Sequence, residues 1–264
     1  MKKYKLIAVD LDGTLLNNQK QISNDTKEDI ISAHNNGVQF VIATGRSLPA
    51  ARQFFTQFNF NIPLILYNGS TIRMSEDLEL IYNKTFQNQL AQNIFDVINK
   101  NDGTCCFWTN DTLYFNKENV YSDYYHKITT IKPNIISDVS KIELTDINKF
   151  IWFDEPEELE KIKKDILAQI DGINYFKSHS QMLEIVPLGI SKGNAVSYLA
   201  DKLNISKDEI ICIGDDENDL SMIKYAGLGV AMGNAKDMIK QQADYITDTN
   251  EKNGVGKVIN EFIL

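Results

Sequence analysis

The chain has 264 residues, 43% of them hydrophobic and 24% charged, which is the balance of a folded globular protein and excludes a disordered one. Its 27 Lys and Arg against 36 Asp and Glu leave a net charge of −9, which repels phosphodiester backbones and excludes a general nucleic-acid binder. The same charge repels small anions, so any phosphate site must be made locally positive by a cation, a few basic side chains and helix N-termini.

Strand and helix patterns alternate from the start. Tyr4 to Val9 is a nearly continuous apolar run, the mark of a strand buried on both faces. Ser23 to Asn36 reads as a helix that stops at Gly37. Val38 to Ala43 is a second buried strand, Leu48 to Phe58 a helix and Leu64 to Tyr67 a third strand, followed by the turn signal Asn68-Gly69. Strands separated by helices imply a parallel sheet with right-handed crossovers.

The texture then changes. Phe86 to Asn99 reads as a helix, and Cys105 to Thr109, Thr112 to Phe115 and Lys149 to Phe153 read as strands. Pro156 to Ile170 reads as a helix opened by proline, followed by strands Asn174 to Lys177 and Met182 to Val186. This stretch carries Trp108, Tyr114, Phe115, Tyr121, Tyr124 and Tyr125, expected to be its own core. From Ser191 the first texture returns: helix to Leu203, strand Glu209 to Ile213, helix Glu217 to Tyr225, and short strands Leu228 to Met232 and Asp244 to Thr247 around another helix. The expected fold class is α/β, a Rossmann-like parallel-sheet core (1–82 and 188–264) with an inserted α+β unit (83–187).

Cys105, Cys106 and Cys212 have the spacing of neither a disulfide framework nor a zinc site, so buried free thiols are expected. The basic opening Met1-Lys2-Lys3-Tyr4-Lys5 is followed by an apolar run that ends at Val9, short of the roughly 7–15 residues of a secretory leader. No run reaches the ~18 apolar residues of a membrane span. The expectation is a cytoplasmic protein without membrane contact; the oligomeric state is not readable.

Four clusters of polar residues follow the buried strands. Asp10-Leu11-Asp12-Gly13-Thr14 places two carboxylates two residues apart where the first strand ends, at the edge where open α/β sheets bind ligands. Thr44-Gly45-Arg46 offers a hydroxyl, a close backbone approach and a helix start. Ser191-Lys192-Gly193 puts a lysine into a first helical turn, against the helix dipole, which makes sense if an anion sits there. Gly214-Asp215-Asp216-Glu217-Asn218-Asp219 packs four carboxylates into five residues, more than capping needs. A hard divalent cation would relieve their repulsion while using only one or two of them.

Together these motifs resemble the haloacid dehalogenase superfamily of phosphatases. The insert after the third strand is similar to the large cap of its Cof-like sugar-phosphatase branch. The resemblance implies Asp10 as nucleophile and Asp12 as general acid and base. It implies phosphate contacts from Leu11, Thr44, Gly45, Lys192 and Asn218, and Mg2+ held by Asp10, the main-chain carbonyl of Asp12 and Asp215. Asp219 would support the site from behind. The expected substrate is a small phosphorylated metabolite: a sugar phosphate, pyridoxal phosphate or flavin mononucleotide. Arg46, His179, Ser180 and Glu184 are the candidate contacts to the rest of that substrate. A phosphomutase on the same core, a phospho-receiver module and a non-catalytic metabolite-binding regulator are the rival readings. The length of the chain and the Asp10/Asp12 pair weigh against a receiver, and the intact catalytic set weighs against a regulator.

Overall fold

The computed structural model describes residues 3–136 and 145–264. The chain forms two compact units, one of residues 1–46, 51–82 and 191–264, the other of 47–50 and 83–190.

In the first unit the buried apolar runs become strands β1 (Leu6–Val9), β2 (Gln39–Ala43) and β3 (Pro63–Leu66). Helices α1 (Asn24–Asn35) and α2 (Leu48–Phe55) separate them. Ser23 caps α1, its hydroxyl accepting the N–H of Thr26 at 3.1 Å. The strand expected to reach Tyr67 ends at Leu66. Tyr67 and Asn68 take left-handed backbone, with φ of 51° and 59°, and enter a tight 3-10 turn over Tyr67–Gly69. The chain then doubles back as β4 (Thr71–Met74), antiparallel to β3, and β5 (Leu80–Asn83). These two strands were not legible in the sequence, because they are short, lack a clear alternation and, apart from Thr71 and Ile72, are at most half-buried.

In the second unit, helix α3 (Asn88–Lys100) precedes the strands β6 (Thr104–Thr109) and β7 (Thr112–Phe115). Helix α4 (Val120–Thr129) and the two-residue strand β8 (Asn134–Ile135) follow, neither of them expected from the sequence. Asn119 opens α4 with a capping box closed by Ser122 in place of the usual Glu, which hides the signature. Next come β9 (Ile147–Phe153), α5 (Pro156–Asp165), β10 (Ile173–His179) and β11 (Met182–Pro187). The helix expected to run to Ile170 stops at Asp165, and one 3-10 turn, Leu167–Gln169, replaces the rest.

The chain re-enters the first unit through α6 (Lys192–Leu203), β12 (Ile210–Gly214), α7 (Leu220–Tyr225) and β13 (Leu228–Ala231). It ends with α8 (Asp237–Lys240), β14 (Tyr245–Ile246) and α9 (Gly254–Phe262). The expected helix from Glu217 begins as a 3-10 turn, Glu217–Asp219, and becomes α-helical only at Leu220.

The first sheet has the order β14-β13-β12-β1-β2-β3-β4-β5, parallel from β14 to β3. Alternate residues of β1, β2 and β12 (Leu6, Ala8, Val41, Ala43, Ile210 and Cys212) pack on Ala195, Val196, Leu199 and Met222 of α6 and α7. Helix α1 lies against β2 and α9. A sheet covered on both faces needs apolar side chains at every position, which is why these strands read as unbroken runs.

The second sheet has the order β10-β11-β9-β6-β7-β8, antiparallel except for β7 with β8. Phe107, Phe150, Trp152, Leu183 and Ile185 pack on Ile94, Phe95 and Ile98 of α3 and Leu159 of α5. Most of the insert's aromatics are core, as expected: Trp108, Phe115 and Tyr125 are buried, half-buried Tyr121 packs with Tyr125 on Phe153, and Tyr114 stacks on Phe107; Tyr124 differs, lying half-buried against the exposed His179. All three cysteines are buried free thiols, and burial pushes each of them up, out of the range of a reactive thiolate.

Asn253 ties α9 to α1. Its amide oxygen accepts the N–H of Gly256 at 3.1 Å and the hydroxyl of Thr26 at 2.6 Å, and its nitrogen donates to Asp29 at 3.1 Å. Its φ of 52° is left-handed, a conformation that costs Ala more than Asn or Gly. Asn253→Ala is expected to lower unfolding stability by about 2–3 kcal/mol, and Asn253→Gly by about 1 kcal/mol less, in urea melts. Equal losses would show that the backbone conformation contributes nothing.

Candidate active site

Strand β1 delivers Asp10 at its carboxyl end, where the Asp10 N–H donates to Ile213 on β12 at 3.1 Å. The chain leaves in a tight turn, with N–H donations from Leu15 to Asp10 (3.1 Å) and from Leu16 to Leu11 (2.8 Å). Strand alternation therefore does not carry through to Asp12; the turn aims it. Gly13 has φ of 81°, and a Cβ there would overlap the Asp215 carboxylate, so both conformation and space require glycine. Leu11 is fully buried beneath the turn.

Lys192 is the first residue of α6 and has no exposed surface. Its ammonium donates to Asp10 Oδ1 and to Asp219 Oδ1, each at 2.6 Å. Gly193 lets α6 approach α7: its N–H donates to the Ser221 hydroxyl at 3.0 Å, and a Cβ would overlap the Ser221 carbonyl. Burial alone would pull the Lys192 ammonium down, but Asp10 and Asp219 outweigh it and hold its pKa above the usual value.

The acidic run at β12 is sorted by direction. Asp216 and Glu217 turn outward to Lys236, at 2.7 and 3.4 Å. Asp215 and Asp219 turn inward. Asp219 is wholly buried; its Oδ2 accepts the N–H groups of Asp215 and Asp216 at 2.9 and 3.1 Å, and its Oδ1 takes Lys192. Asp215 Oδ1 accepts the Thr14 hydroxyl at 2.7 Å.

Asp10, Asp215 and Asp219 each place a carboxylate oxygen within 4.8 Å of the others. Three carboxylates face one ammonium. Burial, reinforced by Asp219 and Asp215, pushes Asp10 well above the carboxylate range against the pull of Lys192. Burial and the Asp219 charge raise Asp215 to about 7. The second oxygens of Asp10 and Asp215 carry no hydrogen bond among the described residues, whereas both oxygens of Asp219 are engaged. An all-oxygen donor set with uncompensated negative charge fits a hard divalent cation. Asp10 and Asp215 fit as its ligands, and Asp219 as the residue that orients Lys192 and the loop.

Asp12 lies in a different environment. Arg46 Nε donates to its Oδ2 and Nη2 to its Oδ1, both at 2.7 Å, and Lys20 donates to Oδ1 at 2.8 Å. Burial would raise Asp12, but Arg46 and then Lys20 outweigh it and hold the carboxyl at about 2. Arg46 and Lys20 thus engage both carboxylate oxygens of Asp12.

Thr44 is buried, and its hydroxyl accepts the Arg46 N–H at 3.1 Å. Gly45 faces Asn68, whose amide oxygen would crowd a Cβ at 2.9 Å. Asn68 Oδ1 also accepts the amide of Asn218 at 2.9 Å, joining the loops after β2, β3 and β12. The sequence-derived candidates of the first unit therefore converge at one edge of its sheet. His179, Ser180 and Glu184 belong to the second unit. His179 and Ser180 are exposed at the β10–β11 turn and hydrogen-bond each other at 3.3 Å. Glu184 is buried in an ion pair with Lys149 at 3.1 Å.

Sequence reasoning missed Thr14, Asn68 and Lys20 as parts of the site. Asn68 was visible only as a turn signal; its tolerance of left-handed backbone is what places its amide. Lys20 carries no local signal at all.

The family model described as haloacid dehalogenase-like hydrolase matches residues 7–259. A Bacillus subtilis protein, 5-amino-6-(5-phospho-D-ribitylamino)uracil phosphatase YcsE, is 34% identical over 263 residues, 98% of this chain and 96% of its own. The putative phosphatase YxeH of the same organism is 30% identical over 99% of both chains. The crystal structure of a haloacid dehalogenase-like hydrolase from Bacteroides thetaiotaomicron superposes with TM-score 0.89 at 31% identity, over 98% of this chain and 99% of its own. Among the described residues, no helix is long and apolar enough to cross a membrane.

Removing one partner of a buried ion pair strands the other charge. Lys192→Met leaves Asp10 and Asp219 facing each other without their ammonium. It is expected to cost roughly 3–5 kcal/mol in chemical denaturation. Adding Asp219→Asn to it should recover part of that loss. A Lys192→Met protein as stable as wild type would contradict the buried triad.

Proposed function

We propose, on the premise that this chain belongs to the haloacid dehalogenase-like hydrolases and is a phosphatase of their Cof-like branch, that it hydrolyses small phosphomonoesters through a covalent intermediate on Asp10 with Mg2+ bound beside it. The observation that carries this reading is Asp10 itself: a buried carboxylate with one oxygen held by Lys192 and the other open, beside Asp215.

The open oxygen of Asp10 attacks phosphorus in line with the leaving alcohol. As the bond from phosphorus to the leaving oxygen breaks, Asp12 supplies the proton that the departing alkoxide needs; for this it must enter the step protonated, with an oxygen released from the Lys20 and Arg46 grip that holds it ionised in the free site. Asp12, now a carboxylate, takes a proton from water while that water attacks the phosphorus of the aspartyl phosphate. The Asp10–phosphorus bond breaks, inorganic phosphate leaves and both carboxyl groups return to their starting states. Phosphoryl transfer of this kind depends on positioning and charge neutralisation. The Thr44 hydroxyl, the main-chain N–H groups of Leu11 and Gly45 and the Asn218 amide are the proposed donors to the phosphoryl oxygens. Asn68 orients Asn218 for that task. Lys192 opposes the burial that raises Asp10 and, by holding one of its oxygens, leaves the other for phosphorus. Mg2+ would be held by Asp10, the Asp12 carbonyl and Asp215, and supplies Lewis-acid neutralisation of the phosphoryl charge.

The proposed substrates are small sugar and polyol phosphates, extended to the ribitylamino-uracil phosphate named for the Bacillus relative. Of the second unit's candidates, exposed His179 and Ser180 remain proposed contacts to the leaving group, whereas buried Glu184 is committed to Lys149.

The test is inorganic phosphate release from a panel of such esters, pyridoxal phosphate and flavin mononucleotide included. Wild type should turn over with Mg2+ and stop with chelator. Asp10→Asn, folded and nearly isosteric, should fall by at least ~10³-fold. Equal release by both proteins would remove Asp10 from the mechanism, and chelator-resistant turnover would remove the metal.

A further inference from the structure

We propose that Arg46 is a positioning residue that acts through Asp12, and not a contact to the substrate; this rests on the reading of Asp12 as the acid and base. The guanidinium makes two parallel bonds to the Asp12 carboxylate, Nε to Oδ2 and Nη2 to Oδ1, each at 2.7 Å. A fork of this kind fixes the plane of a carboxylate as well as its place, which a point charge such as lysine cannot do.

The clamp is itself anchored. The guanidinium carbon lies 5.0 Å from the centre of the Phe54 ring, over its face. The Arg46 N–H donates to the Thr44 hydroxyl at 3.1 Å, and its carbonyl accepts from Tyr67 at 3.0 Å. Its side chain is 18% exposed, against 39% for Asp12. Arg46 therefore holds Asp12 from the same turn that carries Thr44 and Gly45, so the proposed phosphate cradle and the acid share one rigid base.

The two Asp12 oxygens are not equivalent. Oδ2 is held by Arg46 Nε, the less mobile end of the fork. Oδ1 is shared between Arg46 Nη2 and Lys20, whose side chain is 58% exposed. To meet a leaving oxygen, Asp12 must free one oxygen. Oδ1 is the one that can be released, by displacement of Lys20 and a small slip of the guanidinium, with the Nε–Oδ2 bond kept as a pivot. Arg46 thereby keeps the freed oxygen aimed while the proton is passed.

The test is a double-mutant cycle of Arg46→Lys and Asp12→Asn, read with an alkyl phosphate and with p-nitrophenyl phosphate. The aryl ester departs without a proton, so it needs Asp12 only as the base of the second step, and the two esters are compared under single-turnover conditions that read the first step. The expected result is a ~10–100-fold loss in kcat of Arg46→Lys on the alkyl ester with KM changed less than ~3-fold, and a loss at least ~5-fold smaller on the aryl ester. In the Asp12→Asn background the same substitution should add less than ~2-fold, because the two residues act as one unit. If Arg46→Lys raises KM and spares kcat, Arg46 contacts the substrate and the proposal fails. If it costs the same factor in both backgrounds, it does not act through Asp12 and the proposal fails. If Asp12→Asn alone keeps full alkyl turnover, the acid–base reading itself fails, a result distinct from the other two. Should Arg46→Lys not fold, Phe54→Leu, which removes the surface under the guanidinium, should show the same pattern more weakly; an unchanged aryl-to-alkyl ratio in that variant would equally overturn the clamp.

Discussion

The buried ammonium of Lys192 is the interaction around which the first unit's edge is organised. It sits with no exposed surface between Asp10 on the loop after β1 and Asp219 on the turn after β12. Ion pairs at this depth carry a large desolvation cost, and their geometry must be good to offset it. Here both bonds are 2.6 Å, and Asp219 spends its other oxygen on two backbone N–H groups. Three segments far apart in sequence are thereby locked to one point, and the lysine that opens α6 against the helix dipole has its explanation.

That arrangement leaves an excess of carboxylates over ammonium groups at Asp10 and Asp215, which suits the proposed divalent cation. Asp10 and Asp215 are raised, chiefly by burial, while Asp12, held by Arg46 and Lys20, is lowered despite its burial. Carboxylates in one small region thus stand in opposite electrostatic environments. Asp12 is the carboxylate that its partners hold ionised, so its proposed proton-carrying role requires release from that grip, while a cation beside Asp10 and Asp215 would draw the raised pair into the charged form. The outward pair Asp216 and Glu217 belongs to neither set; Lys236 engages them at the surface.

Three of the four motifs were legible because each follows a parallel strand whose burial shows as an apolar run, and that topology sends such loops to one edge; the fourth, Ser191-Lys192-Gly193, follows β11 of the other sheet and was marked by a lysine in a first helical turn. Asp10, Thr44, Lys192 and Asp215 could be found this way. Thr14, Asn68 and Lys20 could not. Thr14 matters because its hydroxyl reaches Asp215, 201 residues away, and Asn68 because its amide meets Asn218 across 150 residues. Local spacing contains no trace of such pairs. Missed elements are also weakly marked: β5 and β8 are exposed or half-exposed edge strands, β4 is a four-residue strand without alternation, and α4 is opened by a capping box in Ser where Glu is the usual signal.

By itself the sequence determined the layering of the protein, the identity of the acidic and basic residues at the sheet edge, and the insertion of a second texture between two stretches of the first. Those follow from burial periodicity and strand-end position, which are local properties. Only the tertiary structure decided which acids face inward, that Asp219 is saturated while Asp215 keeps an open oxygen, and that Arg46 grips Asp12. These depend on distances between segments joined by long chain paths, and hydrogen-bond geometry at 2.6 to 3.1 Å is settled by packing, not by composition.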